Sequence, residues 1–111
     1  MTFGRVEITS DDRLIVATVR GEVDLSNALA ITDEIVEACG SRRLILDLSE
    51  VSYLDSSGVR MLFDLGRRCA VDHQTVAVLV PPGSPINKLL EVTHVGDVLT
   101  LISDMDELSP T

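Results

Sequence analysis

Two short apolar runs decide what this chain can build. Leu44-Ile45-Leu46-Asp47-Leu48 and Thr75-Val76-Ala77-Val78-Leu79-Val80 are continuous and brief, as strands of a covered sheet are. Pro81-Pro82-Gly83 stops the second run. Each run follows a stretch whose apolar spacing is helical. In the first, Leu25 to Cys39, one face collects Leu25, Ala28, Leu29, Thr32, Ile35, Val36 and Cys39, while Asn27, Ala30, Glu34 and Glu37 lie opposite. Asp24 or Ser26 suits its N-cap and Gly40 its C-cap. The second helix is predicted from Ser57 to Ala70. Its inner stripe is Gly58, Val59, Leu62, Leu65, Gly66 and Cys69, and its outer stripe Arg60, Asp64 and Arg67, with Arg60 and Asp64 spaced as a weak i,i+4 pair.

The flanks complete the pattern. Val6 to Ile8 and Leu14 to Val19, around a turn at Ser10-Asp11-Asp12, predict an antiparallel hairpin that Gly21 closes. Pro85 opens a short helix to Val92, Leu99 to Ile102 is a last strand, and Asp104 to Leu108 a closing helical turn. Strand, strand, helix, strand, helix, strand, helix, strand is an α/β order. It implies a mixed, mostly parallel sheet of about five strands, with an N-terminal hairpin, covered by three to four helices through right-handed crossovers. With 111 residues and no linker or repeat, residues 1–111 are expected to form a single domain.

Composition narrows the partners. The chain is 45% hydrophobic, enough for one core, but only Phe3, Tyr53 and Phe63 are aromatic, so that core is aliphatic. A net charge of -9 lacks the basic footprint that nucleic acid binding requires and disfavours anionic lipid surfaces, so neither nucleic acid nor membrane is expected as a partner. The N-terminus shows no apolar signal region, and no run is long enough to span a bilayer, so a cytoplasmic location is expected.

In open α/β sheets, sites lie beyond the carboxyl ends of strands. Two loops qualify: Gly21-Glu22-Val23-Asp24, and Ser49 to Ser57. If their strands are parallel neighbours, Asp24 comes near Asp55 and Ser56. Ser56 then stands at a helix start, where free N–H groups and a partial positive charge would meet a phosphate. A phosphate there would also face Asp55 and block a docked surface by charge and bulk. On spacing alone, plain N-capping is the better explanation of Asp55-Ser56-Ser57 and of Asp24. Gly58 serves either close helix packing or access to the serine.

Gly21-Glu22-Val23-Asp24-Leu25 followed by Ala28, and Leu46-Asp47-Leu48-Ser49-Glu50-Val51 followed by Leu54-Asp55-Ser56-Ser57-Gly58, resemble the two motifs of bacterial anti-sigma factor antagonists, a family with the STAS fold. Pro81 to Leu90, Val95-Gly96, Leu99 to Ile102 and Asp106-Glu107-Leu108 resemble that family's closing segment. The resemblance implies a phosphoprotein of transcription regulation that works by partner switching in a stress response. It has no catalytic residue, cofactor or metal of its own. Its unphosphorylated form would bind an anti-sigma factor that is also a serine-protein kinase, releasing the sigma factor. Phosphorylation at Ser56, the first serine after the motif aspartate, would end binding, and a serine phosphatase would reset it. Asp24, Asp55, Ser57 and Gly58 would shape the docking surface. The pattern departs from the family at Arg60, where a small residue, often Gly, is common; Arg60 would alter partner choice or pair with a phosphate on Ser56. Met61 flanks the polar stripe, as a partner contact or a packed flank. A non-switching STAS subunit of a stress-sensing or lipid-transport assembly is the second reading.

Other constellations are thinner. A receiver-like phosphotransfer site would need a lysine from a late strand, and the one lysine, Lys88, falls in the short helix. His73 and His94 have no nucleophile at a suggestive spacing. Cys39 and Cys69 lack metal-site spacing and end two consecutive helices on their buried faces. If those helices pack side by side, the thiols come close, and a redox disulfide stands beside the reading of two inert core thiols.

Overall fold

The computed structural model describes residues 4–71 and 75–107. β1 (Arg5–Ser10) and β2 (Leu14–Val23) form the expected antiparallel hairpin. The Asp11 carboxylate shapes its turn, accepting the N–H groups of Arg13 and Leu14 at 2.9 Å each. There follow α1 (Ala28–Cys39), β3 (Arg43–Leu54), α2 (Ser56–Arg68), β4 (Ala77–Leu79), α3 (Pro85–Val92) and β5 (Thr100–Ile102), with short 3₁₀ turns at Val95–Asp97 and Met105–Glu107. The five strands lie in sequence order, and every pairing after the hairpin is parallel.

That order decides where the helices go. Each crossover steps one strand in the same direction, so right-handed connections put all three helices on one face. The main core is built accordingly. Ile15, Ala17 and Val19 from β2, and Leu44, Leu46 and Leu48 from β3, meet Ile35 of α1, Leu62 and Leu65 of α2 and Leu90 of α3. Full burial of each of the Val, Leu and Ile side chains contributes about 1.5–3 kcal/mol. The opposite face carries a smaller cluster of Ile45, Ala77 and Ile102, flanked by Leu14, Val16 and Leu79. Apolar residues on both faces are why the third and fourth strands read as unbroken runs.

Several boundaries differ from the sequence reading. β2 does not end at Gly21 but continues to Val23; Gly21 takes φ 84° where the β2–β3 register shifts. β3 likewise runs on to Leu54, absorbing two irregularities that make room for polar Ser49, Glu50 and Ser52. α1 starts at Ala28, so Leu25 lies in the turn before it. Its buried stripe is Ala28, Ile31, Thr32, Ile35 and Cys39, whereas Leu25 is 82% exposed and Leu29 71%. Asn27, not Asp24 or Ser26, takes the N-cap position. Its side chain instead accepts the Asp24 N–H at 3.0 Å and donates to the Glu22 carbonyl at 2.9 Å. Asp64 pairs with Arg67 and Arg68 in place of Arg60. His73 lies outside the described residues, as does Leu108 at the end of the closing turn.

Candidate functional site

The carboxyl ends of β2 and β3 finish level. Val23 pairs with Leu54, and the Asp55 N–H donates to the Val23 carbonyl at 3.2 Å. Asp24 and Asp55 therefore follow two paired strand ends, and the expected juxtaposition is present. Each carboxylate organises its own turn. The Asp24 Oδ1 accepts the Ser26 N–H at 2.9 Å and the Ser26 hydroxyl, and the hydroxyl, then the N–H, hold the Asp24 carboxyl below the ordinary carboxylate range. The Asp55 Oδ1 accepts the N–H groups of Ser57 at 2.8 Å and Gly58 at 3.1 Å. Asp55 is thus the N-cap of α2, and Ser56 is its exposed first residue.

This geometry corrects one expectation. A phosphate on Ser56 does not meet an open set of helix donors. The Ser57 and Gly58 N–H groups serve the Asp55 carboxylate, and the Val59 N–H bonds the Asp55 carbonyl at 3.0 Å. Negative charge added at Ser56 would stand beside a carboxylate already seated at the helix end. The nearest cation along the helix is Arg60, four residues on and exposed.

Gly58 has a packing role. A Cβ there would stand 2.4 Å from Leu54 Cδ1, 2.7 Å from Leu54 Cγ and 3.3 Å from Val23 Cγ1. Only glycine lets the start of α2 sit down on the ends of β2 and β3. Met61, by contrast with an exposed contact, is 3% exposed, because α1 packs over that side of α2. It contributes to a groove along α2 whose lining includes Leu25, Leu29, Ser57 and Arg60. Spacing alone puts Leu25 and Leu29 on the core face; Leu25 instead precedes α1, and Leu29 falls outside the buried stripe of Ala28, Ile31, Thr32, Ile35 and Cys39.

Cys39 and Cys69 come together as buried free thiols at the ends of α1 and α2. The interaction between the two thiols raises the Cys39 thiol above its ordinary range, with burial adding to the rise, and lowers that of Cys69. His94 is exposed, takes a left-handed φ of 60° and faces Asp97 at 3.9 Å. Lys88 lies in α3, away from both motif loops in sequence. Among the described residues, no three His, Cys, Asp or Glu side chains converge as a metal site requires, and no helix is long and apolar enough to cross a membrane.

Comparison with known proteins places this geometry. Osmosensory protein A of Mycobacterium tuberculosis is 31% identical over 68 residues, which is 60% of this chain and 43% of that protein. This chain therefore spans less than half of that relative's length. An anti-sigma factor antagonist from Mycobacterium paratuberculosis has the same fold, with TM-score 0.82 at 21% identity, over 95% of this chain and 90% of the other. The anti-sigma factor antagonist SpoIIAA superimposes in its unphosphorylated form with TM-score 0.71 at 19% identity, over 96% of this chain and 93% of the other. SpoIIAA in its phosphorylated form, described as a Bacillus cell fate determinant, gives TM-score 0.62 at 18% identity, over 96% of each chain. The STAS domain family model matches residues 5–108. With both motif loops, the paired strand ends and the capped α2 inside that match, the chain belongs to the STAS domain family.

Proposed function

We propose that this chain is an anti-sigma factor antagonist, a binding switch in the cytoplasm rather than an enzyme. In this reading the unphosphorylated form binds an anti-sigma factor that is also a serine kinase, and so frees a sigma factor. Phosphorylation at Ser56 ends the interaction, and a serine phosphatase restores it. The observation that carries the reading is the setting of Ser56: exposed, first in α2, directly behind the Asp55 cap and beside the turn that Asp24 organises. The motif resemblance selects Ser56 over Ser57, and membership of the family supports the role.

A phosphoserine adds roughly 1.5 to 2 negative charges. Because the Asp55 carboxylate occupies the neighbouring N–H groups, the helix end does not absorb that charge, which remains presented to whatever docks there. The switch therefore works by repulsion and bulk at an unchanged backbone, with Asp24, Asp55, Ser57 and Gly58 as the docking frame.

The test is a binding titration against the anti-sigma factor recovered with the wild-type protein, together with phosphosite mapping after incubation with that kinase and ATP. Ser56→Ala is expected to bind as the wild type does and to take up no phosphate; Ser56→Asp is expected to lose binding. Equal binding by the two variants, or phosphate found on Ser57 alone, removes the switch at Ser56.

A further inference from the structure

With Tyr53, Val92, Val98 and Met105, the large apolar side chains that the described residues leave exposed include Leu25 and Leu29. One is in the turn before α1 and the other in its first turn, at 82% and 71% exposure. Scattered surface leucines are ordinary, but these two share the wall of one groove. That groove runs along α2, from Leu25 and Leu29 on the α1 side to Thr75 and Val98 on the other, and has a volume of about 980 Å³. Met61, 3% exposed, is at its floor, and Ser57 and Arg60 are also in its lining. It is roomy enough for several side chains of a bound segment. Since Ser57 lines it, the groove is continuous with the end of α2 at which Ser56 is exposed.

Its charge is opposite to that of the molecule. The whole chain carries -9, yet the charged groups in the groove lining are Arg60, Asp64 and Arg67. Asp64 accepts hydrogen bonds from both Arg67 and Arg68, so the single carboxylate is shared between two guanidinium groups, and Arg60 adds a third cation one turn from Ser56. A basic apolar segment would be drawn to the protein as a whole and repelled at this groove. An apolar segment bearing a carboxylate suits both the floor and the rim.

We infer that this groove receives an amphipathic segment of the anti-sigma factor, which sets apolar side chains against Leu25, Leu29 and Met61 and a carboxylate against Arg60. The inference rests on the reading of the chain as an antagonist and adds the chemistry of the partner's docking segment. It also gives Arg60 two uses. The guanidinium that holds the partner's carboxylate is within reach of a phosphate on Ser56, so phosphorylation would remove a favourable contact as well as add a repulsive one.

The anti-sigma factor recovered with the wild-type chain is purified and titrated calorimetrically against wild type, Leu25→Ser/Leu29→Ser and Arg60→Glu. Both leucines are solvent-exposed, so the double variant should keep the wild-type unfolding midpoint, which circular dichroism checks. The expected result is at least a tenfold loss of affinity for the double variant and for Arg60→Glu. Changing one partner Asp or Glu to Lys should restore binding to Arg60→Glu. If wild type binds the anti-sigma factor and both variants bind it equally well, the groove assignment is overturned while the antagonist reading stands. If wild type binds no anti-sigma factor, the antagonist reading fails and takes this inference with it. Sedimentation that shows a wild-type dimer lost in the double variant would put a second copy in the groove and overturn the assignment. So would stoichiometric binding of oleate that competes with the anti-sigma factor.

Discussion

Asp55 does two jobs with one carboxylate. It closes the N-terminus of α2 by accepting the Ser57 and Gly58 N–H groups, and it places a negative charge one residue from Ser56. The two jobs separate by substitution. Asp55→Ala loses the cap and is expected to lower stability by about 1 kcal/mol, whereas Asp55→Asn, an equally good cap, should cost only a few tenths of that. Urea unfolding midpoints of the two variants check this. Asn removes the charge and keeps the geometry, so any effect it has on phospho-dependent release belongs to electrostatics. Gly58 is a steric requirement at the same helix end. Gly58→Ala drives a methyl into buried Leu54 and should destabilise by about 1–3 kcal/mol. Adding Leu54→Val should recover part of that loss; failure to recover any would mean that the clash is with the backbone frame instead.

At the scale of elements, the sequence was most legible where period and burial agree. The hairpin, the three helices and the parallel runs were all readable, because the apolar stripes of β3 and α2 are made of residues that do end in the core. It misled where polar residues sit inside a strand. Ser49 and Glu50 look like the start of a loop, but Asp47 accepts the Ser49 N–H and hydroxyl, and the strand continues through the irregularity. It also misled at the start of α1. There Leu25 and Leu29 fit the helical stripe in spacing, yet Leu25 precedes the helix and the stripe that packs inward is Ala28, Ile31, Thr32, Ile35 and Cys39. The motif loops were legible by resemblance; the groove was not, since its wall is made of residues that read as core. The pairing of Cys39 with Cys69 was readable as a conditional, and the packing of α1 on α2 meets the condition. Because their contact shifts the two thiols in opposite directions, they should differ in reactivity. Iodoacetamide is expected to label Cys69 before Cys39 in the folded chain, and both at one rate in urea. Peptide mapping after hydrogen peroxide should find the two joined in a disulfide, the Cys69 sulfur taking the oxygen and the Cys39 thiol releasing it as water. Equal labelling of the folded chain removes the asymmetry.

At the scale of the molecule, the strand order puts every helix on one face and sends the β2 and β3 carboxyl ends to the same edge, which is what gathers Asp24, Asp55 and Ser56 from distant parts of the chain. The turns at the edges of this sheet are fastened by carboxylates. The Asp11 carboxyl is lowered by the Arg13 and Leu14 N–H groups, Asp24 by the Ser26 hydroxyl and N–H, and Glu107 by the Ser103 and Asp104 N–H groups. These acceptors are strongest when ionised. A carboxyl lowered on folding contributes stability that is complete above its unfolded pKa, about 4, and that disappears as pH falls through the folded value below it. The excess negative charge acts in the other direction, since self-repulsion at a net charge of -9 is relieved by acid and by salt. The two effects have different signatures. Salt should raise the urea midpoint near pH 7, where repulsion is largest. Between about pH 4 and pH 2 the midpoint should fall steeply, because all three turns release their caps. Asp11→Asn, Asp24→Asn and Glu107→Gln should each flatten that acid limb while leaving the salt response near pH 7 close to that of wild type. An acid limb as steep in a variant that combines the three substitutions as in wild type would mean that other carboxylates hold the turns of this fold.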